Sequence, residues 1–167
     1  MHELPEDIER LQALLDRSDE RAGPHLRSIF TPERRVAAQE LCALLTGVQV
    51  LNVATVTRRG EPRVAPVDGL FYRGEWWFGS SADSVRFRHI RARPQVSASH
   101  TRGESLAVIV HGEAVMVDLT EERHTGIRAY GCEVYGAGWD EWAAGAPYVR
   151  IAAHAMFTMA MDAGKGE

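Results

Sequence analysis

The densest chemistry in the sequence lies in Phe78-Gly79-Ser80-Ser81-Ala82-Asp83-Ser84-Val85-Arg86-Phe87-Arg88-His89-Ile90-Arg91-Ala92-Arg93-Pro94. An extended segment passes through small and hydroxylated residues into a short helix that Ser84 is placed to cap. Free backbone N–H groups at the helix start then stand beside Arg86 and Arg88. Guanidinium groups grip phosphate oxygens in pairs, and the helix dipole adds partial positive charge at the same place. The combination suits an anion, phosphate above all. The opposing reading, four arginines that only solvate a short helix or pair with acids, stays open on these residues alone.

Other chemistries lack their residues. Gly126 and Gly131 have the spacing of a phosphate loop, but Cys132-Glu133 stands where Lys followed by Ser or Thr is required. His100 and His111 have no partner at helical spacing and there is no His-Glu-x-x-His, so no metal centre is expected. A Gly-x-Ser-x-Gly elbow is absent, which leaves serine hydrolysis without support. Cys42 and Cys132 lie far apart and outside any Cys-x-x-Cys, and read as two reduced cysteines. No residue is assigned a catalytic role.

The elements that must position the arginine stretch follow from pattern. Pro5 to about Asp19 reads as a surface helix, with Ile8, Leu11, Leu14 and Leu15 at helical spacing. Thr31-Pro32-Glu33 reads as the start of a second helix that closes at Gly47. Val48 to Thr57 is a β-branched strand, turned at Arg58-Arg59-Gly60-Glu61-Pro62 into a return strand, Arg63 to Asp68. Leu70-Phe71-Tyr72 and Glu75-Trp76-Trp77-Phe78 flank a second turn at Arg73-Gly74. A helix from Val85 to Ala92, strands at Gln95 to Ser99 and Leu106 to Val117, a helix from Thr120 to about Tyr135 and a closing strand from Tyr148 to Met161 complete the chain. Gly112 suggests a bulge, and Gly136 to Gly145 reads as a glycine-rich loop holding Trp139 and Trp142. About six strands joined by tight turns favour an antiparallel barrel, and leave no room for the crossovers of a parallel dinucleotide-binding sheet.

Composition agrees with one globular domain. The chain has 167 residues, 45% of them hydrophobic, and a net charge of −4. That excludes disordered and collagen-like classes and argues against broad affinity for nucleic acid. No apolar run approaches the ~18 residues of a bilayer span, and no opening segment reads as a signal peptide. A cytoplasmic protein without nucleic-acid or membrane partners is expected.

From about Leu41 to Met161 the sequence resembles the flavin-binding split barrels of the pyridoxamine 5′-phosphate oxidase superfamily. The resemblance rests on Arg63-Val64-Ala65-Pro66-Val67, on Trp76-Trp77-Phe78, on Ser84-Val85-Arg86 and on Arg88-His89-Ile90-Arg91-x-x-Pro94-x-Val96. Val110-His111-Gly112-Glu113-Ala114 and Tyr148-Val149-Arg150-Ile151 extend it. It implies a mainly β fold with short helices, a six-stranded split β-barrel. Residues 1–46 would form an N-terminal helical segment and 47–167 the flavin-binding barrel, within one domain overall. A homodimer is implied, with a cofactor in each of two clefts at the subunit interface. The apolar strand Trp76 to Phe78 points the same way, since a monomer would expose it.

Residue by residue, the resemblance places Arg63 and Arg86 on the flavin phosphate, Arg86 standing where these proteins usually carry a lysine. Ser84 would add its hydroxyl and the helix N-terminus, with Arg88 beside it. Val64, Ala65, Pro66 and Val67, with Phe78, Gly79, Ser80 and Ser81, would line the ring and ribityl chain. Arg150 and Trp139 are the substrate-side residues, and Trp139 and Trp142 would form a mobile lid. Tyr72, Trp76 and Trp77 are either one face of the pocket or part of the core. The chain departs from true oxidases at Asp68 (lysine), Val85 (arginine), Ala107 (glutamine) and Ala153 (proline). These changes fit FMN, and equally the relatives that use the deazaflavin F-420. Haem or bilin binding, found in a minority of relatives, would call on His89, His100 or His111. The function implied is a flavin-dependent oxidoreductase passing hydride between the ring and a small conjugated substrate. The alternatives are a deazaflavin reductase, a non-catalytic flavin- or haem-binding protein, and a structural dimer with an empty ancestral site.

Overall fold

Alternation sets the first strand. From Val48 to Val56, Gln49, Leu51, Val53 and Thr55 point inward, while Val48 and Val50 face out. In the computed structural model, which describes residues 2–161, this strand, β1 (Val48–Val56), opens a six-stranded barrel. The others are β2 (Pro62–Tyr72), β3 (Glu75–Gly79), β4 (Gln95–Arg102), β5 (Leu106–Val117) and β6 (Tyr148–Ala160). The barrel closes in the order β1-β2-β3-β6-β5-β4, and every neighbouring pair is antiparallel. The segments expected as two strands, Arg63 to Asp68 and Leu70 to Tyr72, are one continuous β2. It pairs with β1 along the full length of β1, Val56 opposite Pro62 through Val48 opposite Leu70. With β3 it pairs only from Gly69 to Tyr72. On that side Pro62 to Asp68 therefore runs free of β3, and the wall splits.

Gly112 marks a bulge as expected: the β5–β6 register shifts between His111 and Gly112, and His154 is the extra residue. A Cβ at Gly112 would run into the Ala152 carbonyl.

Among the described residues six helices dress the barrel: α1 (Pro5–Arg21), α2 (Pro24–Ile29), α3 (Ala38–Leu44), α4 (Val85–Ala92), α5 (Thr125–Tyr135) and α6 (Trp139–Gly145). Leu11, Leu14 and Leu15 of α1 and Leu41 of α3 join Leu51, Phe71, Trp76, Phe78, Ile151 and Met156 in the interior core. A second cluster forms outside the wall, where Leu70, Trp77 and Tyr148 lie under Ile127, Tyr130, Trp139 and Ala143. Trp76 and Trp77 thus serve two cores, and Tyr72 stacks on Tyr130. Trp76 is wholly core, while Tyr72 and Trp77 also line a cavity with residues of α1 and α5. Asp7, 1% exposed, anchors α1 to the β2–β3 turn through Arg73 (2.6 Å) and caps the Leu4 N–H (3.0 Å).

Two expectations need correction. The second helix is not continuous from Thr31: a 3-10 turn at Pro32–Arg34 precedes α3, and Arg35 and Ala37 are extended. Val36 is held by both its backbone groups to the Thr158 hydroxyl of β6, and this tie overrides the helical pattern. The glycine-rich loop is also partly helix. Gly138 precedes α6, and Trp139 and Ala143, four residues apart, bury one face of it. The final residues of the barrel segment, 162–167, lie outside the described residues. No helix among the described residues is long and apolar enough to cross a membrane.

Candidate cofactor cleft

Ser84 caps α4 as expected, its hydroxyl accepting from the Phe87 N–H at 3.3 Å while its carbonyl takes the Arg88 N–H at 3.1 Å. The N–H groups of Val85 and Arg86 in the first turn have no acceptor within the helix. Arg86 reaches from this turn to the free edge of β2, donating one terminal nitrogen to the carbonyls of Pro66 (2.9 Å) and Ala65 (3.3 Å). Burial draws its pKa down, and no acid counters that shift. Among the described residues no carboxylate pairs with it. Arg91 donates to the Ala82 carbonyl (3.0 Å) and so fixes the loop that leads into α4. A half-buried guanidinium with spare donors, beside two open backbone N–H groups, fits a phosphate.

The split between β2 and β3 therefore gathers most of the expected residues. Val64 to Val67 lie on one lip, Gly79 to Ser81 run off the end of the other, and Ser84 with Arg86 closes one end, whereas Phe78 is paired on both sides, with Gly69 and Val149, and is fully buried in the interior core. At the opposite end a cavity of about 300 Å³ takes Val67 and Gly79 into its wall and is roofed by aromatic rings of α5, α6 and β6. Tyr135 stacks on Trp139 (6.0 Å, 9°), Trp142 leans on Trp139 (6.4 Å), and Tyr148 meets Trp139 edge-on (5.9 Å). Asp68 lies in the same wall. Burial first, and Asp68 after it, pushes Tyr135 up to about 12; burial, then Tyr135 and then Asp68 raise Tyr148, so both phenols remain proton donors.

Other expected residues sit elsewhere. The guanidinium of Arg63 is paired with Glu61 (2.9 Å) on the exposed β1–β2 turn, while that of Arg86 bonds the Ala65 and Pro66 carbonyls. Arg88 is exposed. Arg150 is held by Glu75 at 2.8 Å opposite Trp77 and does not line the aromatic cavity. Trp139 does line it, but not as a lid: it is 8% exposed and wedged against Gly131, where a Cβ would strike its ring. The histidines are dispersed. His89 bonds Thr55 (2.9 Å), His111 bonds Ser97 (2.8 Å), and His100, buried in the barrel, bonds the Val50 carbonyl (2.9 Å). No cluster of three or more metal-ligating side chains occurs among the described residues.

Sequence reasoning named Trp139 and Trp142 but missed Tyr135, Tyr148 and Asp68 as their companions. Helical spacing of 135, 139 and 142 was the available signal, hidden by Gly136, Gly138 and Gly145.

Comparison with known proteins agrees with this architecture. Solved structures with the same fold include a conserved hypothetical protein of Mycobacterium tuberculosis (18% identity, 77% of this chain and 88% of that one, TM-score 0.64). A FAD-binding protein of Mesorhizobium loti shares 22% identity over 75% and 95% of the two chains (TM-score 0.58). An F-420 reductase shares 17% over 68% and 93% (TM-score 0.50). At such identities the likeness is one of fold. No curated protein matches the chain. The sequence profile of the family described as pyridoxamine 5′-phosphate oxidase does match, across residues 37–160. The split wall, the capped arginine helix and this match together make the chain a member of the pyridoxamine 5′-phosphate oxidase family.

Proposed function

We propose that the protein is a flavin-dependent oxidoreductase that holds FMN with its phosphate at Ser84 and Arg86 and its ring along Val64–Val67 and Gly79–Ser81. The observation that carries this is Arg86, half-buried, without a carboxylate partner and beside two open helix N–H groups. Hydride transfer to or from a small conjugated substrate would be the bound flavin's chemistry. The chain's own part is to fix the phosphate, hold the ring against the β2 edge and exclude water. The proposal includes a homodimer, whose second subunit would cover the outward Val48, Val50 and Val64, which are 41%, 56% and 69% exposed in one chain. It also includes a cytoplasmic setting and no nucleic-acid or membrane partner.

Side-by-side titration with FMN, riboflavin and F-420, read by fluorescence, tests the proposal. FMN is expected to bind more tightly than riboflavin, and equal affinity for the two overturns the phosphate site. The deazaflavin is kept as a second reading because the fold is shared with an F-420 reductase and Arg88 is exposed, within reach of a longer anionic tail. Its binding would then fall more steeply with salt than that of FMN. Deazaflavin binding that ignores salt, alongside tight FMN binding, removes that reading.

A further inference from the structure

We propose that the aromatic cavity beside the split is a cage for a flat organic cation, with Asp68 as its counter-ion. Four rings, from Tyr135, Trp139, Trp142 and Tyr148, converge on a space of about 300 Å³. The arrangement is firm at its centre, because Trp139 is locked against Gly131 and Tyr148 packs edge-on against it. At the mouth it is open: Trp142 is 51% and Tyr135 38% exposed, so their rings offer surface that a flat ligand would cover.

Charge then sets the ligand's sign. Asp68 is the one charged side chain in the wall, and it pairs with no cation among the described residues. The nearby arginines are engaged elsewhere, Arg128 by Asp140 (2.7 Å) and Arg150 by Glu75 (2.8 Å). The faces of indole and phenol rings carry negative potential, and a carboxylate beside them deepens it. A neutral ring would gain only the stacking, and an anion would be repelled. A metal ion is ill-suited, because the wall offers one carboxylate and otherwise rings and aliphatic surface. A conjugated ring bearing a fixed or protonated positive nitrogen gains stacking, cation–π attraction and the ion pair together.

Because Val67 and Gly79 belong to this wall as well as to the proposed flavin contact, the ligand would lie against the cofactor. That it is the substrate rests on the proposed function; the preference for a cation does not.

The test is calorimetric titration of the full chain with three bicyclic probes: N-methylquinolinium, neutral quinoline at pH 8, and 2-naphthalenesulfonate. The cation is expected to bind about tenfold more tightly than quinoline, with the sulfonate weakest. Asp68→Asn should reduce the advantage of N-methylquinolinium over quinoline to what cation–π attraction alone supplies, and Trp142→Ala should weaken both. Both side chains are exposed, so these variants keep the core intact, which circular dichroism verifies. Equal binding of the three probes to the parent, or an undiminished cation preference in Asp68→Asn, overturns the cage. FMN titration of the same samples is the separate control. FMN binding kept with the cation preference absent sinks only the cage; cation preference kept with FMN binding absent sinks only the flavin reading.

Discussion

A guanidinium drawn partly out of water without a carboxylate opposite it carries an uncompensated desolvation cost, which an anion would relieve. For this reason Arg86→Ala should weaken FMN binding by about 1.5–3 kcal/mol, or roughly ten- to a hundredfold, and leave riboflavin affinity unchanged. Fluorescence titration of both ligands checks it. Asp7 shows the opposite solution. Burial would raise its pKa, but the Arg73 guanidinium, the Leu4 N–H and Arg10 outweigh burial and hold the carboxyl below its ordinary 3.8. With the folded value below the unfolded one, its stabilisation is complete above about pH 4 and is lost as pH falls through the folded value. Asp7→Asn should cost about 2 kcal/mol at pH 7, less than a fully buried pair because Arg10 and Arg73 stay in contact with water, and should cost less at pH 2. Urea unfolding at the two pH values measures the difference. Cys42, in the core, has its thiol pushed up to about 12 by burial. Native protein should therefore keep Cys42 unalkylated at pH 8 while Cys132, less buried, reacts; mass mapping reads which thiol is labelled.

Among the elements, β5 and β6 depend on one residue for their curvature. The bulge that admits His154 brings the Ala152 carbonyl onto Gly112, and the obstacle is backbone, which cannot swing aside as a side chain would. Gly112→Ala should destabilise the fold by about 3 kcal/mol, seen as a lowered thermal midpoint. Two further glycines act by proximity. Gly126 and Gly131 on α5 admit the Tyr72 hydroxyl and the Trp139 ring. Their phosphate-loop spacing thus comes from packing, since both must lie on faces of α5 that other aromatics approach closely.

For the whole molecule, the expected reason for a dimer changes while the proposal stays. Trp76, Trp77 and Phe78 are 1%, 6% and 0% exposed in a single chain, so the aromatic strand leaves no patch for a partner to cover. What remains uncovered is the outer face of β1 and the first half of β2, with Val50 opposite Asp68 and Val64 opposite Ala54. Sedimentation should show a dimer for the parent protein and a monomer for Val50→Glu, with FMN affinity lost in the monomer if the cleft needs both subunits. A parent monomer that binds FMN tightly would refute the dimer.

The sequence by itself determined those features that local physics controls. Alternation gave the strands, Ser84 before an apolar–basic octet gave α4, and Gly112 gave the bulge, because each depends on neighbours along the chain. The run from Ser84 to Pro94 also carries the proposed anion site, since cap, dipole and arginines are contiguous. Tertiary structure decided what depends on distant partners. Val36 left the helical pattern for the Thr158 hydroxyl, and α6 formed through glycines because Trp139 and Ala143 found a wall to bury against. Arg150 was taken by Glu75, a partner 75 positions away that local spacing could not rank against a ligand. The aromatic cage is the extreme case. Its members come from β2, α5, α6 and β6, with 80 positions between Asp68 and Tyr148, and only closure of the barrel sets Asp68 beside Tyr135 and Tyr148.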